Sequence, residues 1–401
     1  MKPKIISILI IAFIFFNASA QRNRAQTDDK PEGFKFTTII SLDATPVKNQ
    51  SRTGTCWCFA TTSFIESELL RMGKGEYDLS EMFIVHHNYI DRLQDNYLRR
   101  GKGNLGPGSL SHDWLVVFTE NGIVPEEVYS GINYDSETHN HSELQAFINV
   151  IAPVAVERRD ESEEYHEIVD AVLDTYLGEI PDHFTYKGQT YTPKSFAESL
   201  GINPDDYVEI TSFNHFPFYT KGQVEVPDNW RHVEMYNVPI DELVEIMDHA
   251  LENGYTVDWD GDVSERGFSH ADGVAINPDV TKIEDLSGTD RARFENTPRG
   301  GRNEEGFSFD KPLPEIEVTQ EIRQEGYEHF LTTDDHLMHV TGIVKDQNGT
   351  KYYITKNSWG TERNKFGGYL NMSESYVKAK VIFIMVHKDA VPDDIKAKLG
   401  F

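Results

Sequence analysis

The sequence predicts an α+β protein of two lobes, with its helices first and its strands last. Helical periodicity dominates from Trp57 to Asn253. Short runs rich in β-branched and aromatic residues follow, separated by turn residues. No segment repeats, so the order helices-then-strands describes one α+β fold and not an array. A chain of 401 residues is long enough for one large domain or two lobes with a sizeable core.

Taken in order, residues 1–20 combine a basic start ("MKPK"), a short apolar stretch ("IISILIIAFIFF") and a small-x-small ending ("NASA"). This pattern predicts a secretory signal peptide cut after Ala20, and with it a secreted or periplasmic protein. The apolar stretch is too short for a comfortable membrane span, and no cysteine follows it to carry a lipid. Residues 21–36 read as a polar leader, and residues 37–388 as the folded domain. The first helix begins at Trp57, with Trp57, Ala60 and Phe64 on one stripe, Ile65, Leu69 and Met72 extending it, and Gly73 as its stop. A second helix is expected over Leu79–Leu98, opened by Ser80 or Asp78. The glycine-rich "GKGNLGPGSLSHDW" then runs into a helix at Leu110–Glu120. Residues 131–235 read as a mostly helical insertion, with a hairpin and a short helix at 185–202. Val238–Asn253 is a further helix, with Ile240, Leu243, Val244, Met247 and Leu251 in register. The strands are "YTVDWDGDV", "HVTGIVKD", "KYYITKNSW", "GYLNMS" and "VIFIMVHK". Residues 284–312 read as a long loop. Pro392 is expected to end the last strand and leave residues 389–401 as an extended C-terminal arm.

The formal net charge is −28, and removing residues 1–20 takes away Lys2 and Lys4 and no acid, leaving about −30. Such a surface repels nucleic acid and anionic lipid, so neither is expected as a partner.

Both cysteines of the chain, Cys56 and Cys58, lie in "KNQSRTGTCWCFATT". Their side chains diverge on a helix or strand, which excludes a mutual disulfide without gross strain. Structural zinc needs a fuller ligand set than this stretch offers. A nucleophile or two inert thiols remain. Cys56 stands where the first helix begins, a position that lowers a thiol pKa, whereas Cys58 reads as a small core residue. A nucleophilic thiol also needs an imidazole. Of fifteen histidines, His86 and His87 lie on a helix without a ligand pattern, and His139 and His141 lie in an acidic loop. His336 and His339 enter an alternating strand. Downstream, Asn357 in "ITKNSWG" offers an amide oxygen to an imidazole Nδ1–H, leaving the other nitrogen for the thiol. "DWDGDVSERGFS" (258–269) has the look of a calcium loop, but its glycine is fourth and no Glu closes it.

"NQSRTGTCWCFA" resembles the active-site helix of papain-like cysteine peptidases, and "KNSWG" is similar to their asparagine–tryptophan strand. The order Gln, Cys, His, Asn is theirs as well. "HLMHVTG" from His336, "WDGDVSERGF" and "YLNMSESYV" resemble the bleomycin hydrolase and aminopeptidase C branch, whose histidine is followed six positions later by a glycine, here Gly342. The resemblance implies a papain-like two-lobe fold and a Cys56–His336–Asn357 triad resting as a thiolate–imidazolium pair. It gives Gln50 and the Cys56 backbone N–H as oxyanion donors, and Trp57 and Trp359 as supporting residues. It implies peptide substrates, no cofactor and no metal. By the same resemblance the C-terminal arm lies in the cleft and anchors a free α-amino group, making an aminopeptidase that assembles as a homo-hexamer. An endopeptidase, or an acyl-transfer (transamidase-like) enzyme on the same core, is the alternative. Thr53 stands where secreted papain-type enzymes carry a disulfide cysteine.

Overall fold

The computed structural model describes residues 33–279 and 308–401. The expected signal peptide, most of the leader and most of the 284–312 loop lie outside the described residues.

The first helix, α1 (Cys56–Arg71), is buried along almost its whole length, which explains why its apolar stripe is broad. Helix α2 (Glu81–Leu98) opens where the sequence placed it, with the Ser80 hydroxyl accepting from the Phe83 N–H at 3.1 Å. Helix α3 (Ser111–Asn121) follows the glycine-rich loop. Together with α4 (Ser142–Arg158), α5 (Glu163–Leu177) and α6 (Pro193–Leu200), these helices bury a core around Trp57, Phe83, Trp114 and Leu173.

One large mixed sheet forms the other lobe. Its central strands are β7 (Val257–Gly261), β10 (His336–Lys345), β11 (Lys351–Lys356) and β13 (Val381–His387). Side chains alternate across it. Leu337, Phe383 and Met385 join the helical core, whereas Trp259, Met338 and Ile384 face a second core beneath α7 (Ile240–Glu252). Both faces are therefore covered, as the unbroken apolar run "VIFIMVH" requires. The first half of β10 pairs with β7, and its second half pairs with β1 (Thr37–Ser41). That second pairing accounts for Gly342. A Cβ there would lie 2.2 Å from the Ile40 carbonyl oxygen, so the glycine admits β1.

Two expectations need correction, and one helix adds to the expected elements. The 131–235 block is helical only to residue 200, apart from the hairpin of β2 (Phe184–Tyr186) and β3 (Gln189–Tyr191). Beyond it, β4 (Tyr207–Thr211), β5 (Lys221–Gln223) and β6 (Glu234–Asn237) extend the main sheet from β13. These strands are too short to show a period. A helix at Gln320–Glu328 precedes β10, its start capped by Thr319. The C-terminal arm is not extended. Pro392 opens a helix, Asp393–Leu399, because a proline is tolerated at a helix start. Ile395 and Leu399 bury that helix in the core under α7, and Phe401 packs on Tyr236.

Candidate active site

The site forms where the N-terminus of α1 meets the start of β10. Gly54 sets the approach. Its φ is +66°, and a Cβ there would come 2.7 Å from Pro107 of the glycine-rich loop. Trp57 fixes the same loop from the helix side by donating its indole N–H to the Pro107 carbonyl at 3.1 Å. Thr55 ends the turn without a side-chain cap, so Cys56 is the first helical residue. The Cys56 sulfur accepts a hydrogen bond from the Leu337 backbone N–H. The thiol thus sits against the strand one residue from His336.

His336 is buried and begins β10. Its Nε2 lies 2.8 Å from the Asn357 Oδ1. The sequence reading gave that bond to Nδ1. The strand start turns the ring the other way, so Nε2 carries the proton and Nδ1 is left free. Trp359, about one-third exposed at 36%, lies over the imidazole with ring centres 4.7 Å apart. The Asn357 side-chain nitrogen faces His270 Nδ1 at 3.3 Å, and His270 also packs on Trp359. His270 escaped the sequence reading because its turn carries no motif.

Gln50 is tied into the same corner. Its backbone N–H donates to the Ser358 carbonyl at 2.8 Å, and its Oε1 accepts from the Ser358 hydroxyl at 2.6 Å. Holding the oxygen this way leaves the amide nitrogen as the group available to a ligand. Asn49 bridges to Trp359, so residues 49–50 and 357–359 move as one unit.

His339 is placed elsewhere. It faces α1, with Nδ1 2.8 Å from the Ser63 hydroxyl. Ser63 in turn accepts from the Lys356 ammonium at 2.7 Å, and Lys356 also donates to Thr45 at 3.1 Å. Thr45 donates to Glu66 at 2.5 Å. This buried network pins α1 to β10 and β11 behind the site. Cys58 is fully buried and donates to the Glu81 carbonyl at 3.2 Å, a structural thiol.

Burial dominates the electrostatics. Desolvation pushes the Cys56 thiol up to about 12, with Asp260, Asp334 and Asp228 adding to the rise and the Leu337 N–H opposing it. Desolvation also lowers His336 to about 4, against its bond to Asn357 and the charge of Asp335. Burial thus opposes both charges of the expected thiolate–imidazolium pair in the substrate-free site, and the nearby acids oppose the thiolate further.

The C-terminal helix makes its contacts away from these residues. Lys398 pairs with Glu242 of α7 at 2.9 Å and lies over the Tyr219 ring, and the helix ends beside Tyr236.

Residues 31–201 match the model of the papain family cysteine protease, and residues 286–400 match that of the Peptidase C1-like family. The chain is similar to Aminopeptidase C of Lactobacillus helveticus, with 23% identity over 412 residues covering 89% of this chain and 82% of that protein. It is similar to Cysteine proteinase 1, mitochondrial, of Saccharomyces cerevisiae (strain ATCC 204508 / S288c), with 21% identity covering 92% of this chain and 80% of that one. The crystal structure of PepW from Lactobacillus rhamnosis shares the fold, with a TM-score of 0.65 at 18% identity, covering 91% of this chain and 84% of that chain. With both of its ends matched and its two-lobe fold shared, the chain belongs to the papain-like cysteine peptidases, on the bleomycin hydrolase and aminopeptidase C branch.

Proposed function

We propose that this peptidase works through Cys56, His336 and Asn357 and removes residues from free peptide N-termini. One observation carries the reading: His336 Nε2 is held 2.8 Å from Asn357 Oδ1, while the next residue's backbone N–H meets the Cys56 sulfur. The names of the aminopeptidase relatives support the N-terminal preference.

The chemistry follows from the placement of the two groups. As substrate arrives, Nδ1 of His336 takes the thiol proton and the sulfur attacks the scissile carbonyl carbon. The carbonyl oxygen becomes an oxyanion, received by the Gln50 amide nitrogen and the Cys56 N–H. His336 returns the proton to the leaving amine, and a thioester remains. Water then gives its proton to His336 and cleaves the thioester, which restores the thiol. Asn357 keeps the ring in one orientation throughout, and Trp359 excludes water from that bond.

The docking of the C-terminal helix under α7 favours a second reading, an endopeptidase, because Ile395 and Leu399 pack that helix into the core there. A fluorogenic panel of free and N-acetylated peptides, run with and without a thiol alkylator, separates the two. Faster cleavage of the free peptides supports trimming. Equal rates on both would overturn it in favour of the endopeptidase, and amide products formed with added amines would point to acyl transfer.

The proposal extends to export and assembly. Residues 1–20 direct the chain out of the cytoplasm, and the mature N-terminus is Gln21, which intact mass measurement of the processed protein tests. The assembly is six copies, and light scattering that shows a monomer would contradict it.

A further inference from the structure

Asp258 and Asp260 share one face of β7, because side chains two apart on a strand do so. That face looks towards the helical lobe, since the Asp258 Oδ2 accepts from Thr61 of α1 at 2.7 Å and from Ser111 of α3 at 2.8 Å. Asp260 lies one step further along, at the level of the first turn of α1. Across the ladder it stands directly opposite Leu337, the residue whose N–H meets the Cys56 sulfur. Asp334, two residues before His336, lies close enough to the Asp260 carboxyl to interact with it. Asp260 is fully buried, and apart from this neighbouring acid neither of its oxygens has a partner among the described residues. Asp334 Oδ2 has no partner either, and Asp334 itself is partly exposed. A third acid, Asp228, is held by Asn104 at 3.3 Å and presses on Gly108, where a Cβ would come 2.0 Å from its Oδ2. Arg92 answers the charge of Asp228. Among the described residues no cation is paired with Asp260 or Asp334.

Two carboxyls left this way are costly to the fold, and sharing one proton only reduces the cost. Burial raises both: Asp334 adds to the rise of Asp260, and Asp228 adds to that of Asp334, which reaches about 8 although its contact with Asp260 acts the other way. An ammonium group reaching the pair from the partly exposed Asp334 would offset the cost by displacing a proton and pairing with the carboxylates.

We propose that Asp260 and Asp334 form a cation subsite beside the Cys56 thiol that receives an ammonium group of the substrate, either its free α-amino group or a lysine side chain. The proposal deepens the peptidase reading and rests on the thiol being where the substrate reacts. It also supplies the amine anchor that the C-terminal helix, docked under α7, does not.

The test uses the full-length Cys56→Ala protein, so that binding is read without turnover. Three peptides of equal length are titrated by calorimetry: one with a free N-terminus, its N-acetylated form, and an N-acetylated form carrying lysine. Asp334→Asn and Asp260→Asn are titrated beside it, and thermal melts confirm that each is folded. Asp334→Glu, which keeps the charge, serves as the second variant. The parent is expected to bind at least one ammonium peptide tenfold or more tightly than the neutral one. A preference confined to the free N-terminus identifies the α-amine, and recovery by lysine identifies the side chain. Asp334→Asn should bring ammonium binding down to the neutral level while leaving the neutral peptide unchanged, and Asp334→Glu should restore part of the preference. Equal binding of all three peptides, or equal weakening of all three by Asp334→Asn, would overturn the proposal and leave the pair as a structural clasp. Loss of turnover in Cys56→Ala, scored separately on the active protein, tests the peptidase reading by itself.

Discussion

Asn357 joins two histidines through one amide: its Oδ1 lies 2.8 Å from His336 Nε2, and its nitrogen lies 3.3 Å from His270 Nδ1. The amide therefore cannot rotate without breaking a contact on either side, and the His336 ring inherits that orientation. Asn357→Ala is expected to lower kcat about 100-fold by misplacing the ring, with KM little changed. A steady-state comparison with Asn357→Gln checks this. A loss seen only in KM would place Asn357 in substrate binding.

The two histidines of β10 should separate cleanly. His336→Ala is expected to remove general acid–base catalysis, about 100- to 10,000-fold in rate, and to slow alkylation of Cys56, because burial already raises the thiol pKa and the variant lacks the base that takes its proton. His339→Ala should lower the melting temperature by disturbing Ser63 and Lys356 while keeping most of the specific activity. The opposite pattern would move the base to His339.

Gln50→Ala is expected to lower kcat about 100- to 1,000-fold, as losing one oxyanion donor does. Ser358→Ala should cost less, since it frees the Gln50 Oε1 without removing the donor. If Ser358→Ala costs as much as Gln50→Ala, the hydroxyl itself takes part.

Stability should fall as pH rises from 6.5 to 8. Burial raises Asp258, Glu315 and Glu66 to about 7, Asp334 to about 8 and Glu126 to about 9. Each binds its proton more tightly folded than unfolded, so its contribution is full below the unfolded pKa and is lost as pH rises through the folded value. The buried histidines run the other way. His86, lowered to about 3, and His87, His139, His141 and His336, lowered to about 4, lose their contribution only as pH falls below about 6.5. Lys356, lowered to about 8, opposes the carboxyls mainly above that pH. Thermal melts across the window should show the decline, and Glu126→Gln should flatten it. A melting temperature that rises from pH 6.5 to 8 would contradict these assignments.

The parts of the site that a local motif can carry were legible in the sequence. Cys56 and Trp57 lie on one helix turn, and Asn357 and Trp359 on one strand end, so each pair is visible as a short string. His336 was legible through its spacing to Gly342, although that glycine serves β1. Which ring nitrogen faces Asn357 depends on how the strand start is turned, and sequence order does not specify that. Asp260 and Asp334 lie far apart in the chain and meet only through the β7–β10 register, so no string joins them. The strands β4–β6 are too short to show alternation. The C-terminal helix was read as an arm because Asp393–Leu399 is only seven residues long and polar on its outer face.

The proposed activity depends most directly on Cys56 as the nucleophile. Substoichiometric alkylation followed by intact and peptide mass analysis, paired with residual activity, measures this on the wild-type protein. The predicted result is one label on Cys56, with activity lost in proportion to it and no turnover in Cys56→Ala. Activity that survives full labelling of Cys56, or that tracks labelling of Cys58, would contradict the account.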